Sequence, residues 1–154
     1  MELTFEAGDW WSYFLVFVAA ATPVLEVLVV IPAGMLAGMS PVLTALVAVA
    51  GNLSTVVLVA VAGDRILGWW RRRRPERDRQ MSPRSHRARA LAQRWGVPGL
   101  ALLAPITTGT HVATVAALAT GSDTRRVLRW MAGGLVVWAA AIAAVTAAGI
   151  DVFA

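Results

Sequence analysis

The sequence predicts an all-α integral membrane protein, and three observations carry that prediction. The chain of 154 residues is 58% hydrophobic and 15% charged, with a mean hydropathy of +0.65. Two apolar blocks, residues 10–63 and 95–150, are too long and too apolar for ordinary soluble core elements. Between them lies a polar segment, residues 64–94, holding eleven of the fourteen arginines. The whole reads as one membrane domain, residues 1–154: a first half, a cytoplasmic basic loop with an interfacial helix, and a second half.

The first apolar block divides in two. Residues 10–40 are interrupted by Pro23, Pro32, Gly34 and Gly38, whereas residues 41–63 are clean and long enough to span. The second block is broken by Pro98, Gly99, Pro105 and Gly109, then by a polar patch containing Asp123, Arg125, Arg126 and Arg129. Residues 130–150 form its clean span.

Arginine placement sets the expected topology. Residues 64–94 and Arg125, Arg126 and Arg129 belong on the cytoplasmic side. Residues 95–121 then start and finish on that side, and their Pro and Gly breaks suit a re-entrant hairpin. With an acidic N-terminus outside, residues 10–40 form a second re-entrant hairpin from the opposite face. Each half is a broken-helix hairpin followed by a full span, the pattern of an inverted repeat. A faint echo accompanies it: Gly38 precedes Gly51 by thirteen residues and Gly121 precedes Gly133 by twelve. The alternative is a four-span bundle with Arg125–Arg129 outside.

Residues 84–95 are expected to form an amphipathic interfacial helix. Ala88, Leu91, Ala92 and Trp95 share one face, with Arg84, Arg87 and Arg94 largely off it. Together with Arg71, Arg72, Arg73 and Arg74, these arginines are suited to anionic headgroups, at roughly 1 kcal/mol each. A solvated basic loop is the other reading. Trp10 and Trp11 fall at an outer boundary, and Trp69, Trp70, Trp95 and Trp130 at inner ones.

Glu26 is the one charged residue between Trp10 and Gly63. A charged carboxylate at mid-depth costs several kcal/mol, so it is protonated, paired or in a water-filled cavity. Pro32 releases a backbone carbonyl and, with Gly34, is expected to make a turn lining such a cavity. The alternative places Glu26 near the interface, snorkelling. In the second half, Pro105, Thr107, Thr108, Gly109, Thr110 and His111 gather hydroxyls, helix breakers and an imidazole. Half-helix ends there can present N–H groups or carbonyls to an ion, and His111 is a candidate partner for Glu26. Alternatively the threonines bond back to their own helix and His111 is a packing residue. Asn52 is expected to bond a neighbouring helix, and Gly133 and Gly134 to permit close helix contact.

Other chemistries find no footing. Cysteine is absent, so thiolate metal sites and cysteine nucleophiles are excluded. No phosphate-binding Gly-rich loop, zinc spacing or catalytic triad is visible, so neither a cofactor, a metal nor an enzymatic activity is expected. The arginines lack the aromatic interleaving of a nucleic-acid binder. The N-terminus has no positively charged leader region, so a cleaved signal is not expected.

Glu26, Ile31 and Pro32, followed by Gly51 and Asn52, resemble motifs of the small multidrug export protein family within a wider DedA-like membrane superfamily. The likeness runs over residues 22–149, with residues 105–110 matching a Pro- and Gly-rich turn more loosely. Leu28 stands where the family carries an arginine two places after the glutamate. The resemblance implies a transport-like fold in a bacterial cytoplasmic membrane, crossed several times. The expected function is transport of a small or amphiphilic substrate, coupled to protons through Glu26. A polyprenyl-phosphate or lipid translocase and a non-transporting scaffold are the alternatives. At this size two spans enclose little, so a homodimer is expected.

Overall fold

In the computed structural model the chain is described over residues 9–23, 25–73 and 83–153, with side-chain surroundings over 9–23, 25–63 and 94–149. The described residues are helical throughout, with no strand: α1 (Trp10–Ala21), α2 (Val27–Leu36), α3 (Pro41–Arg73), α4 (Pro83–Thr107), α5 (Thr110–Ala119) and α6 (Thr124–Phe153). Length sorts them. α1, α2 and α5 have 12, 10 and 10 residues, or ~15–18 Å, about half of a ~30 Å hydrocarbon layer. Pro41–Gly63 in α3 and Thr124–Gly149 in α6 are long and apolar enough to cross it.

Burial decides what surrounds these two helices. Only 28% and 22% of their most apolar windows are buried within the chain. A soluble core helix of that composition hides most of its surface, and these two do not. Trp10, Trp11, Trp95 and Trp130, at the expected boundaries, are all exposed. Trp10 packs edge-on against Trp11, which stacks on Phe14.

The caps follow from local chemistry. α2 ends in a Schellman arrangement: Met39 N–H donates to the Gly34 carbonyl and Gly38 N–H to the Met35 carbonyl. Gly38 sits at φ 85°, a conformation nearly free for glycine and strained for other residues. Ser40 then offers its carbonyl to Thr44 N–H, placing Pro41 at the first helical position, where its missing donor costs nothing. Ahead of α6, the Asp123 carboxylate accepts from Arg126 N–H at 2.9 Å, an ordinary N-cap.

Three local expectations need correction. Pro32 and Gly34 lie inside α2 and make no turn; the breaks fall at residues 22–26 and at Gly38. One proline forfeits one intrahelical bond, which a helix held by its core contacts tolerates. Residues 64–73 continue α3 as helix, because arginine is a good helix former and needs no loop after a span. Gly133 is the wrong partner for the glycine echo. Gly134 stands thirteen residues after Gly121, as Gly51 does after Gly38.

The interfacial segment is helical up to Trp95, where Gly96 (φ 66°, ψ −170°) kinks α4. Its arginine side chains before Arg94, the side chains of Trp69, Trp70, Arg71, Arg72 and Arg73, and the whole of Arg74 lie outside the described residues.

The contacts cluster into two compact units, residues 1–54 with 135–154, and residues 55–134. Their boundaries cut through α3 and α6 rather than falling at residue 63. In the first unit Val16 and Ala20 of α1, Val27, Val30 and Ile31 of α2, and Ala48 of α3 share one core with Leu135 and Ala139. Gly51 lets α3 press on α1: a Cβ there would run into the Phe17 carbonyl. In the second unit α4 packs along α5, and a Cβ on Gly134 would lie 2.7 Å from the Ala101 carbonyl. Pro105 has no N–H to give that carbonyl, so it is free for the close approach of α6.

A single offset relates the two series. α2 and α5, the bounding glycines 38 and 121, the starts of α3 and α6, and the contact glycines 51 and 134 each lie 83 residues apart.

Gly134→Val is expected to destabilise the protein by about 1–3 kcal/mol through overpacking. Gly133→Val, with nothing within 4 Å of its Cβ position, is expected to change stability by no more than about 0.5 kcal/mol. Thermal unfolding in detergent separates the two.

Candidate functional site

The first unit places its carboxylate indoors. After α1, Thr22 closes the helix by donating its hydroxyl to the Ala19 carbonyl at 2.7 Å. The chain turns through Pro23, and Glu26 becomes the N-cap residue of α2, its carbonyl accepting from Val29 and Val30 N–H. The Glu26 side chain does not cap that helix. It is 7% exposed, while Leu25 beside it is 43% and Val29 55% exposed. A water-soluble helix start has the opposite arrangement. The Glu26 side chain is therefore packed against the protein.

α3 contributes further polar groups to that unit. Thr44 and Asn52 are both fully buried. Gly34 makes room for the first: a Cβ on Gly34 would approach Thr44 Cγ2 to 2.7 Å. Asn52 was expected to bond a neighbouring helix, and here the structure differs. Its side chain is packed, yet neither Oδ1 nor Nδ2 has a hydrogen-bond partner. Thr44 Oγ1 is likewise unpartnered. Thr44 was missed in the sequence, although it lies two steps of four residues before Asn52 on one helical ladder.

The second unit bears out the predicted break. α4 stops at Thr107, Gly109 takes φ 85° as the N-cap of α5, and α5 begins at Thr110. Pro105 lies in the last turn of α4, and Thr108 and Gly109 N–H groups both donate to the Ala104 carbonyl, at 3.1 and 2.8 Å.

The threonines divide. Thr107 is exposed and donates to the Leu103 carbonyl at 2.7 Å, as the back-bonding alternative expects. Thr114, which the sequence did not single out, is buried and donates to the Thr110 carbonyl at 2.8 Å. Thr108, Thr110 and His111 are buried around the turn. The Thr108 hydroxyl reaches only the Gly109 carbonyl, at 3.5 Å, a weak bond. The candidate residues thus fall into two sets: Glu26, Pro32, Gly34 and Asn52 in the first unit, and the 105–111 segment in the second.

A family model described as "Putative small multi-drug export protein" matches residues 26–142. The chain belongs to that family. The match opens on Glu26 and runs through the break at Gly109 into α6, so the family region carries both candidate sets and omits α1. Membership makes this a transporter-like membrane protein. No curated protein and no solved structure matches the chain significantly.

Gly109→Ala is expected to cost about 1–2 kcal/mol, because a Cβ is strained at positive φ. Thr107→Val, at an exposed position, is expected to shift stability by no more than about 0.5 kcal/mol. Unfolding midpoints of the two variants check the contrast.

Proposed function

We propose that this chain is a proton-coupled transporter of a small or amphiphilic substrate and that Glu26 is its proton-binding group. The observation that carries the reading is the burial of this carboxyl while its apolar neighbours face outward. A charge turned inward within an apolar chain is costly and is found where ions or protons are handled. Protonation removes that charge, lowering the cost of burying the group and letting the hairpin repack; deprotonation on the other side resets it.

The other polar residues fit supporting roles. In the second unit Thr108, Thr110 and His111 form a buried polar turn suited to a substrate headgroup. The 83-residue recurrence, with the arginine distribution, supports two re-entrant hairpins and an inverted repeat in a bacterial cytoplasmic membrane, as in a DedA-like superfamily. A homodimer completes the enclosure, and Arg71–Arg74 and Arg84, Arg87 and Arg94 bind anionic headgroups. No enzymatic step is assigned.

One observation favours a second reading. A groove of about 420 Å³ in the first unit runs between Pro41, Val42 and Leu46 of α3 and Ala140, Ala144 and Ala147 of α6, and its lining is almost wholly apolar. Such a surface suits a hydrocarbon chain, as a translocase for polyprenyl phosphate or another lipid requires. Dependence of transport on a lipid phosphate distinguishes that reading from drug export.

Glu26→Gln is expected to abolish proton flux in vesicles under an imposed pH gradient, with wild type and empty vesicles as references. Equal flux in mutant and wild type overturns the coupling. Topology is checked by single cysteines: Asp9→Cys is expected to label from outside and Ser122→Cys only from inside. Outside labelling at residue 122 retires the inverted arrangement.

A further inference from the structure

We propose that Thr44 and Asn52 are the polar wall of a water-filled path within the first unit, leading along α3 to Glu26 and carrying the protons that Glu26 binds. The proposal deepens the reading of Glu26 and rests on it.

Three polar atoms motivate it. Thr44 Oγ1, Asn52 Oδ1 and Asn52 Nδ2 are buried with no hydrogen-bond partner in the protein. Buried polar groups are nearly always satisfied, and where protein does not serve them, water does. In lipid the requirement is stricter, because no bulk water stands nearby. Both side chains are at least nine-tenths buried, and Ala48 between them is small and buried too. Residues 44, 48 and 52 form one ladder on α3.

The register directs that ladder toward Glu26. α2 and α3 are joined by a short turn over residues 37–40, and Gly34 lies against Thr44. Val30 and Ala48 belong to the same core cluster. Extended by helical steps of four from Gly34 against Thr44, that antiparallel register assigns Val30 to Ala48. One step beyond Val30 and Ala48 comes to Glu26 and Asn52. On this register Asn52 falls level with residue 26, and Thr44 lies against Gly34 near the α2–α3 turn.

The molecule contains its own control. Positions 83 residues after Thr44, Ala48 and Asn52 are Val127, Met131 and Leu135 on α6, and all three are buried. The equivalent face of α6 thus meets its packing needs with apolar side chains alone. Helix geometry does not demand a threonine and an asparagine there. α3 carries them at the cost of burying polar groups, and α3 is the helix that follows the hairpin with the carboxylate. An asparagine amide and a threonine hydroxyl each both donate and accept, which is what a chain of waters passing a proton needs.

Two measurements test the path, each with the full chain in vesicles. The protein has no cysteine, so Thr44→Cys, Asn52→Cys and the buried control Val30→Cys are each the only thiol. A small hydrophilic methanethiosulfonate reacts with thiolate, which forms only where water reaches. Residues 44 and 52 are expected to react at least tenfold faster than residue 30; rates equal to the control overturn the path whatever the flux.

The second measurement is proton flux in Thr44→Val and Asn52→Leu, which install the residue types that α6 already accommodates. Flux is expected to fall at least fivefold in each, with thermal midpoints near wild type. If both variants conduct like wild type while Glu26→Gln is silent, the proton path is overturned and the assignment of Glu26 stands. If wild type itself conducts no more than empty vesicles, coupling at Glu26 and the proton role of the path fall together, and the labelling rates alone judge whether water is there.

Discussion

Everything in this structure depends on one constraint: in a hydrocarbon solvent each polar group must find its partner inside the protein. Helices answer it for the backbone, which is why the described residues are helical apart from short turns. The same constraint orders the side chains. Val29 and Leu36 of α2 and Leu43, Leu46 and Leu58 of α3 face out, while Glu26, Thr44, Asn52 and His111 face in. A polar residue turned inward has only neighbours or water to satisfy it, and Thr114 bonds back to its own helix.

Without a strong hydrophobic drive between helices, association rests on close contact. Gly51 against the Phe17 carbonyl and Gly134 against the Ala101 carbonyl bring helix backbones together where a methyl group would part them. Gly38 and Gly121 reverse the chain at the ends of two ten-residue helices, each at positive φ. The coincidence of all four positions under one offset gives the two series a common plan. Their divergence is chemical. The first has a carboxylate before its short helix and polar residues on the long one. The second has threonines and a histidine at the start of its short helix and an apolar ladder after it.

Legibility in the sequence varied with the kind of signal. The start of the span at Pro41 was readable, because apolar length needs no partner to interpret, while its helix runs on to Arg73. The break at Gly109 was readable as well, since Pro105 and Gly109 frame it with hydroxyl residues. The turn assigned to Pro32 and Gly34 was misplaced. A proline in an apolar run reads as a break, yet α2 carries it through and ends two residues before Gly38 instead. Asn52 was read as glue, and burial without a partner is a property that only packing reveals.

By itself the sequence determined the solvent, the helical class, the isolated carboxylate and the order of broken and continuous segments. All of these follow from composition along a line, because the cost of putting a residue in lipid is set residue by residue. Tertiary structure alone decided which face of α3 turns inward, that Gly134 rather than Gly133 meets its neighbour, and that Thr44 joins Asn52 on a buried ladder. Those outcomes depend on helix rotation and contact. Rotation is fixed by the sum of many small packing energies across the core, and no single stretch of an evenly apolar sequence records that sum.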